Sequence, residues 1–193
     1  MTVMQAAKNL FGHLIRPLHA SGSLTGEKAA PDPVADMPMQ STAFLNGEPI
    51  PQKYSQDGEN ISPPLSWSDV PAEAKELVLI CEDPDAPMIQ PFVHWMMFGL
   101  SPSTTSLPEH VPTEETVRAG GYRAMQSMNS AKSIGYVGPK PPAGHGPHHY
   151  HFQLFALNAP SFLAGRPDRD TLAKALDGKV IAMGELIGTY ERT

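Results

Sequence analysis

The sequence predicts a mostly β protein, and three observations carry that prediction. Short apolar runs such as Phe44-Leu45 and Ile134-Gly135-Tyr136-Val137 are cut by Asn46-Gly47 and Gly138-Pro139, signals that favour short strands and turns over long helices. Two longer apolar segments, Glu76 to Glu82 and Pro91 to Phe98, stop at an Asp-Pro turn and at Gly99. A third, His149 to Leu157, follows a Pro/Gly loop and reads as a strand whose side chains alternate between two faces.

Taken in order, the N-terminus differs from the rest. Ala7, Leu10, Phe11, Leu14, Ile15 and Leu18 recur at helical spacing, which predicts a short amphipathic helix over residues 3–16, limited by Pro17. Polar and charged residues interrupt it, so it is neither a standard signal peptide nor a membrane span. Packing on the domain, or on a second copy in a homodimer, is the expectation for its apolar stripe. Residues 20–38, rich in Ser, Gly, Ala, Pro and Asp, read as a linker. The division expected is therefore 1–40, helix and flexible linker, and 41–193, a single β domain.

The strand from Glu76 runs into Asp83-Pro84-Asp85, two carboxylates separated by one proline. Such a sequence commonly just ends a strand. The next strand, however, carries His94 in its apolar interior. A buried histidine is usually a satisfied core residue, but one near paired carboxylates has a natural partner, which fixes its tautomer and favours its protonated form.

Residues 138–147 form a loop in which Pro fixes φ and Gly admits conformations other residues resist, so its shape is set and its glycine amides can approach a ligand. It delivers His145, His148, His149, Tyr150 and His151. Alternation puts His148, Tyr150 and Phe152 on one face and His149, His151 and Gln153 on the other. Four histidines so close suggest a metal, yet zinc needs three or four convergent ligands. The split between faces disfavours a closed site from this segment alone, although His148 with residues from elsewhere stays open. His145, His149 and His151 are expected to be solvated. Further on, Asp168 or Asp170 can cap a helix over Leu172 to Leu176, and Gly178 can end it.

The turn Asp83-Pro84-Asp85-Ala86-Pro87, the pair His94-Trp95, and the loop Gly138-Pro139-Lys140-Pro141-Pro142-Ala143-Gly144-His145-Gly146-Pro147-His148-His149-Tyr150 together resemble the phosphatidylethanolamine-binding protein family, particularly its bacterial Raf-kinase-inhibitor-like branch. Supporting matches run from Asp57-Gly58-Glu59-Asn60-Ile61-Ser62-Pro63-Pro64-Leu65-Ser66-Trp67 to Gly184-Glu185-Leu186-Ile187-Gly188-Thr189-Tyr190, so the likeness covers roughly residues 41–193. It implies an antiparallel β fold, with a large central sheet flanked by a smaller one and a few helices, and an anion pocket at one end of the sheet. Carried over by position, that pocket uses Asp83, His94, His148 and Tyr150, with Pro141, Pro142 and Gly144 as its wall. Two positions depart from the family pattern. His149 stands where an arginine is common, which puts an ion pair with the aspartate turn in doubt. Phe92 stands where many relatives carry tryptophan, keeping an aromatic wall but losing a donor.

Composition is compatible with this. The net charge of −6 argues against nucleic acid as a partner, since phosphate backbones demand clustered Lys and Arg. The single cysteine, Cys81, excludes an intramolecular disulfide and suits a reducing cytoplasm. There is no G-x-S-x-G nucleophile elbow and no Walker loop. The expectation is a non-enzymatic, cytoplasmic binding protein without cofactor, taking phosphate-bearing small molecules or phospholipid head groups. A regulatory role toward a kinase or protease is what the resemblance adds. The alternative is a metal-assisted hydrolase built on the histidine cluster.

Overall fold

A computed structural model describes residues 23–29, 34–119 and 121–193. The amphipathic helix expected over residues 3–16 lies outside the described residues. Ten strands form two sheets, as the mostly β prediction requires: β1 (Ala35–Asp36), β2 (Met39–Gln40), β3 (Leu65–Trp67), β4 (Glu76–Asp83), β5 (Phe92–Leu100), β6 (Ser106–Leu107), β7 (Thr116–Ala119), β8 (Tyr122–Gln126), β9 (His148–Leu157) and β10 (Val180–Tyr190). The large sheet has the order β1-β10-β9-β4-β5-β8-β7 and the small one β2-β3-β6. All pairings are antiparallel except β1 with β10.

β4 and β9 are buried along most of their length because the sheet is covered on both faces, and alternation sorts their apolar residues between two cores. Leu77, Leu79, Cys81, Phe152 and Leu154 face the small sheet and pack with Leu65, Trp67 and Leu107. Val78, Ile80, Phe155 and Leu157 face the other way, onto Leu172 and Leu176 of the helix α2 (Arg169–Leu176). That helix begins at Asp168, whose carboxylate accepts the Thr171 N–H at 2.8 Å, so Asp168 rather than Asp170 is the cap.

One irregularity in β5 decides where the site is built. Cys81 pairs with Trp95 but Glu82 pairs with Val93, so His94 is an extra residue, a β-bulge. In consequence His94 and Trp95 lie on the same side of the sheet. Val93 and Met96 pack in the helix-side core, and Trp95 and Met97 in the opposite one.

The stretch read as a linker is partly built into the fold. Thr25–Ala29 form a short helix, α1, with Thr25, Gly26 and Ala29 buried, and Met37 is fully buried next to β1. The cause is chemical. Glu82, completely buried on the helix side of β4, accepts both the N–H (2.7 Å) and the hydroxyl (3.0 Å) of Thr25 and is paired with Arg169 of α2. A buried carboxylate needs such partners, and the residues before the β domain supply two of them.

Candidate functional site

β4 runs antiparallel to both β5 and β9, so its last residue meets their first ones. Asp83 therefore pairs with Phe92, two residues before His94 on β5, and lies one residue beyond the Glu82–His151 pair at the start of β9, the stretch that carries Tyr150 and His148. The prolines of the 138–147 loop close the space above them. The result is a cavity of about 390 Å³ lined by Asp83, His94, Pro141, Pro142, His148 and Tyr150, with Phe92 as an aromatic wall. Gln56, Lys140 and Met88 are also part of its lining. Gly138 permits the loop to lie so close: a Cβ there would stand 2.2 Å from the Tyr54 carbonyl oxygen.

Asp83 is 4 % exposed and both carboxylate oxygens are used. Oδ1 accepts the Asp85 N–H at 2.8 Å, the fixed turn that Asp-Pro-Asp sequences make, and Oδ2 accepts Nδ1–H of His148 at 2.8 Å. The other nitrogen of His148, Nε2, is 2.7 Å from Nδ1 of His145. A chain Asp83–His148–His145 thus runs from the buried carboxylate to the half-buried loop histidine, and His145 is a partner of the site rather than a solvated residue.

His94 takes a different role. Its Nδ1 lies 2.7 Å from the Val137 carbonyl, which can only accept, so Nδ1 carries the proton. Burial pushes the His94 pKa down; the Asp83 charge and the Val137 hydrogen bond oppose this and do not overcome it. In the neutral ring Nε2 is then an acceptor, not the donor expected of a pocket histidine. The Tyr150 ring meets His94 edge-on at 5.0 Å between centroids, and Phe92 lies 4.7 Å away on the other side. Tyr150 is 1 % exposed, and its hydroxyl has no hydrogen-bond partner among the described residues. Burial, followed by the Asp83 charge, pushes its pKa well up, so it is a neutral O–H donor at any ordinary pH.

The remaining sequence expectations divide. Gly144 is not part of the wall, because its N–H is turned to the Arg192 carbonyl (2.8 Å) and the loop tip leans toward the C-terminus. His149 replaces the arginine effectively: its N–H and its Nδ1 both reach Oδ2 of Asp85, at 2.8 and 2.7 Å. Burial pushes the Asp85 pKa up, but these His149 bonds outweigh it and hold the carboxyl below its usual range. His151 is half-buried against Glu185 (3.0 Å) instead of solvated. Three of the four histidines thus go to different carboxylates and His145 to His148, and among the described residues no group of three His, Cys, Asp or Glu is arranged to hold a metal. Gln56 and Lys140 were not anticipated. Lys140 sits within the recognised loop, whereas Gln56 is brought in by two bonds to that loop, its side-chain amide to the Gly138 carbonyl (2.9 Å) and its N–H to the Pro139 carbonyl (3.0 Å).

Residues 40–191 match the family model described as phosphatidylethanolamine-binding protein. The chain belongs to the phosphatidylethanolamine-binding protein family. Its similarity to relatives is consistent over the same region: a UPF0098 protein of Methanothermobacter thermautotrophicus is 42% identical over 156 residues, 81% of this chain and 99% of that one. Among solved structures, a phosphatidylethanolamine-binding protein homologue of Chlamydia trachomatis has a TM-score of 0.73 at 42% identity, covering 82% of this chain and 99% of its own. E. coli YbcL, described as a member of the mammalian PEBP family, has a TM-score of 0.75 at 28% identity, covering 82% and 100%. A member of this family is a binding or regulatory protein at the level these likenesses support. No helix among the described residues is long and apolar enough to cross a membrane.

Proposed function

We propose that the chain is an anion-binding, regulatory protein whose pocket takes the phosphate of a small ligand or of a phospholipid head group. The observation that carries this reading is the Tyr150 hydroxyl, a buried donor without a partner among the described residues, on the wall of a cavity it shares with His94. Leaving such a donor unpaired costs about 1–3 kcal/mol, which a ligand oxygen would restore. Lys140 at the rim adds a positive charge where an anion enters. Binding rather than catalysis is favoured because the described lining includes no Ser, Thr or Cys, and Cys81 lies in the core with its thiol pKa pushed up by burial. That buried free thiol suits a reducing compartment such as the cytoplasm.

Calorimetry with phosphoethanolamine tests the reading. Tyr150→Phe should weaken binding by about 1.5–3 kcal/mol, the range for a hydrogen bond to a charged group. His151→Ala, whose partner is Glu185 outside the cavity, should bind like the wild type. Equal affinities for all three proteins would place the anion elsewhere.

A further inference from the structure

The first 22 residues carry the apolar stripe Ala7, Leu10, Phe11, Leu14, Ile15 and Leu18, and the fold fixes the point from which they leave. The Ser23 carbonyl accepts from Nη2 of Arg169, the first residue of α2. Arg169 also lines a groove of about 190 Å³ on the helix side of the large sheet, together with Met88, Pro91, Val93, Met96 and Met128. Val93 and Met96 are buried in the helix-side core, whereas Met88 is 48 % exposed. Three methionines in one groove make an adaptable apolar surface, because the unbranched thioether repacks around whatever side chain enters.

We propose that residues 7–18 dock on this groove in the same chain, seating Leu14 and Leu18 among Met88, Met96 and Met128. Leu18 stands five residues before Ser23, so at most about 18 Å of chain separates it from a residue bonded to the groove's edge. So short a tether gives an effective concentration in the millimolar range, and a contact too weak to hold a free peptide suffices. Charge favours the encounter. Residues 1–22 contain Lys8 and Arg16 but no Asp or Glu, which leaves the remainder two charges more acidic than the net −6 of the whole chain. That attraction belongs to the domain rather than to the groove, which carries Asp168 and Lys132 alike. Nη1 of Arg169 is buried without a hydrogen-bond partner among the described residues, a donor that a backbone carbonyl just before Ser23 would satisfy. Because Met88 lines the ligand cavity as well, the docked segment shares a wall with it. The docking is independent of which ligand that cavity takes.

The test is methyl NMR of the full chain with isotope-labelled methionines and a nitroxide on Asn9→Cys, which lies on the polar side of the predicted helix. Cys81 is buried, so the label goes to the new thiol. The methyl signals of Met88, Met96 and Met128 should be lost to the nitroxide, while that of Met39, in the small sheet, persists. Adding Leu14→Asp should bring the three signals back. Without any nitroxide, Leu14→Asp alone should shift the Met88 and Met128 methyls and leave Met39 in place, which keeps the test decisive should the labelled variant misbehave. In a mixture of nitroxide-bearing chains with separate methyl-labelled chains, the groove signals should be retained. Their loss in that mixture would seat the segment on a second copy and overturn docking within one chain. Groove signals untouched by the nitroxide in the full chain, as for a segment free in solution or bound to a membrane, would overturn it as well.

Discussion

At Tyr150 the same atom that suits a ligand weakens the unliganded protein. Its hydroxyl is buried without a partner among the described residues, so Tyr150→Phe should leave the thermal midpoint of the ligand-free protein unchanged or raise it, by up to about 1 kcal/mol of stability. With saturating phosphate ester the order should reverse, since the wild type gains more from mass action; differential scanning fluorimetry with and without ligand reads both. His94 sets the pH response. Its folded pKa lies below the ordinary value near 6.5, so the unfolded chain binds more protons and stability is lost as pH falls through that window. His94→Gln should flatten the decline of the midpoint just below pH 6.5. The losses attached to Asp85 and Glu185, whose carboxyls are held below their usual values, come later, below about pH 4.5. Alternation along one strand was enough to bring His148 and Tyr150 together before any coordinates. The tautomer of His94 was not legible, because it depends on the Val137 carbonyl, 43 residues away in sequence.

Among the elements, β4 delivers adjacent carboxylates to opposite faces: Asp83 to the pocket, Glu82 to α1 and α2. Glu82→Ala leaves the buried Arg169 guanidinium with only the Ser23 carbonyl and the Asp170 carboxylate 4.0 Å away and should cost about 3–5 kcal/mol, whereas replacing Glu82 and Arg169 together by apolar residues should recover much of that. Urea unfolding of the single and double variants measures both. The strands themselves were readable from their apolar runs, and the predicted His149–Leu157 differs from β9 by one residue. The β-bulge was not readable, because an inserted residue leaves composition and hydrophobicity unchanged and appears only in the pairing of β5 with β4. α1 was hidden for a related reason. Thr-Gly-Glu-Lys-Ala is too short and polar to signal a helix, and what orders it is a distant buried charge.

For the whole molecule, the sequence boundary near residue 40 and the physical one differ in consequence. Deleting residues 1–22 removes none of the contacts described above and should leave cooperative unfolding intact. Extending the deletion through residue 38 removes the Thr25 bonds to Glu82 and the buried Met37, and should lower the midpoint clearly while binding at the pocket persists; circular dichroism melts with parallel calorimetry separate the two. Dialysis against a chelator should leave the midpoint of the full chain unchanged, since each clustered histidine already has a carboxylate or imidazole partner. The bulge at His94 has one more effect, on tolerance to changes of chain length. Excising His94 would subtract one imidazole and leave the sheet in phase: Cys81–Trp95, Glu82–Val93 and Asp83–Phe92 stay paired, with Val93 still toward the helices and Phe92 still beside the cavity. A one-codon deletion at this point would thus keep the tenants of both cores in place and cost the pocket its histidine.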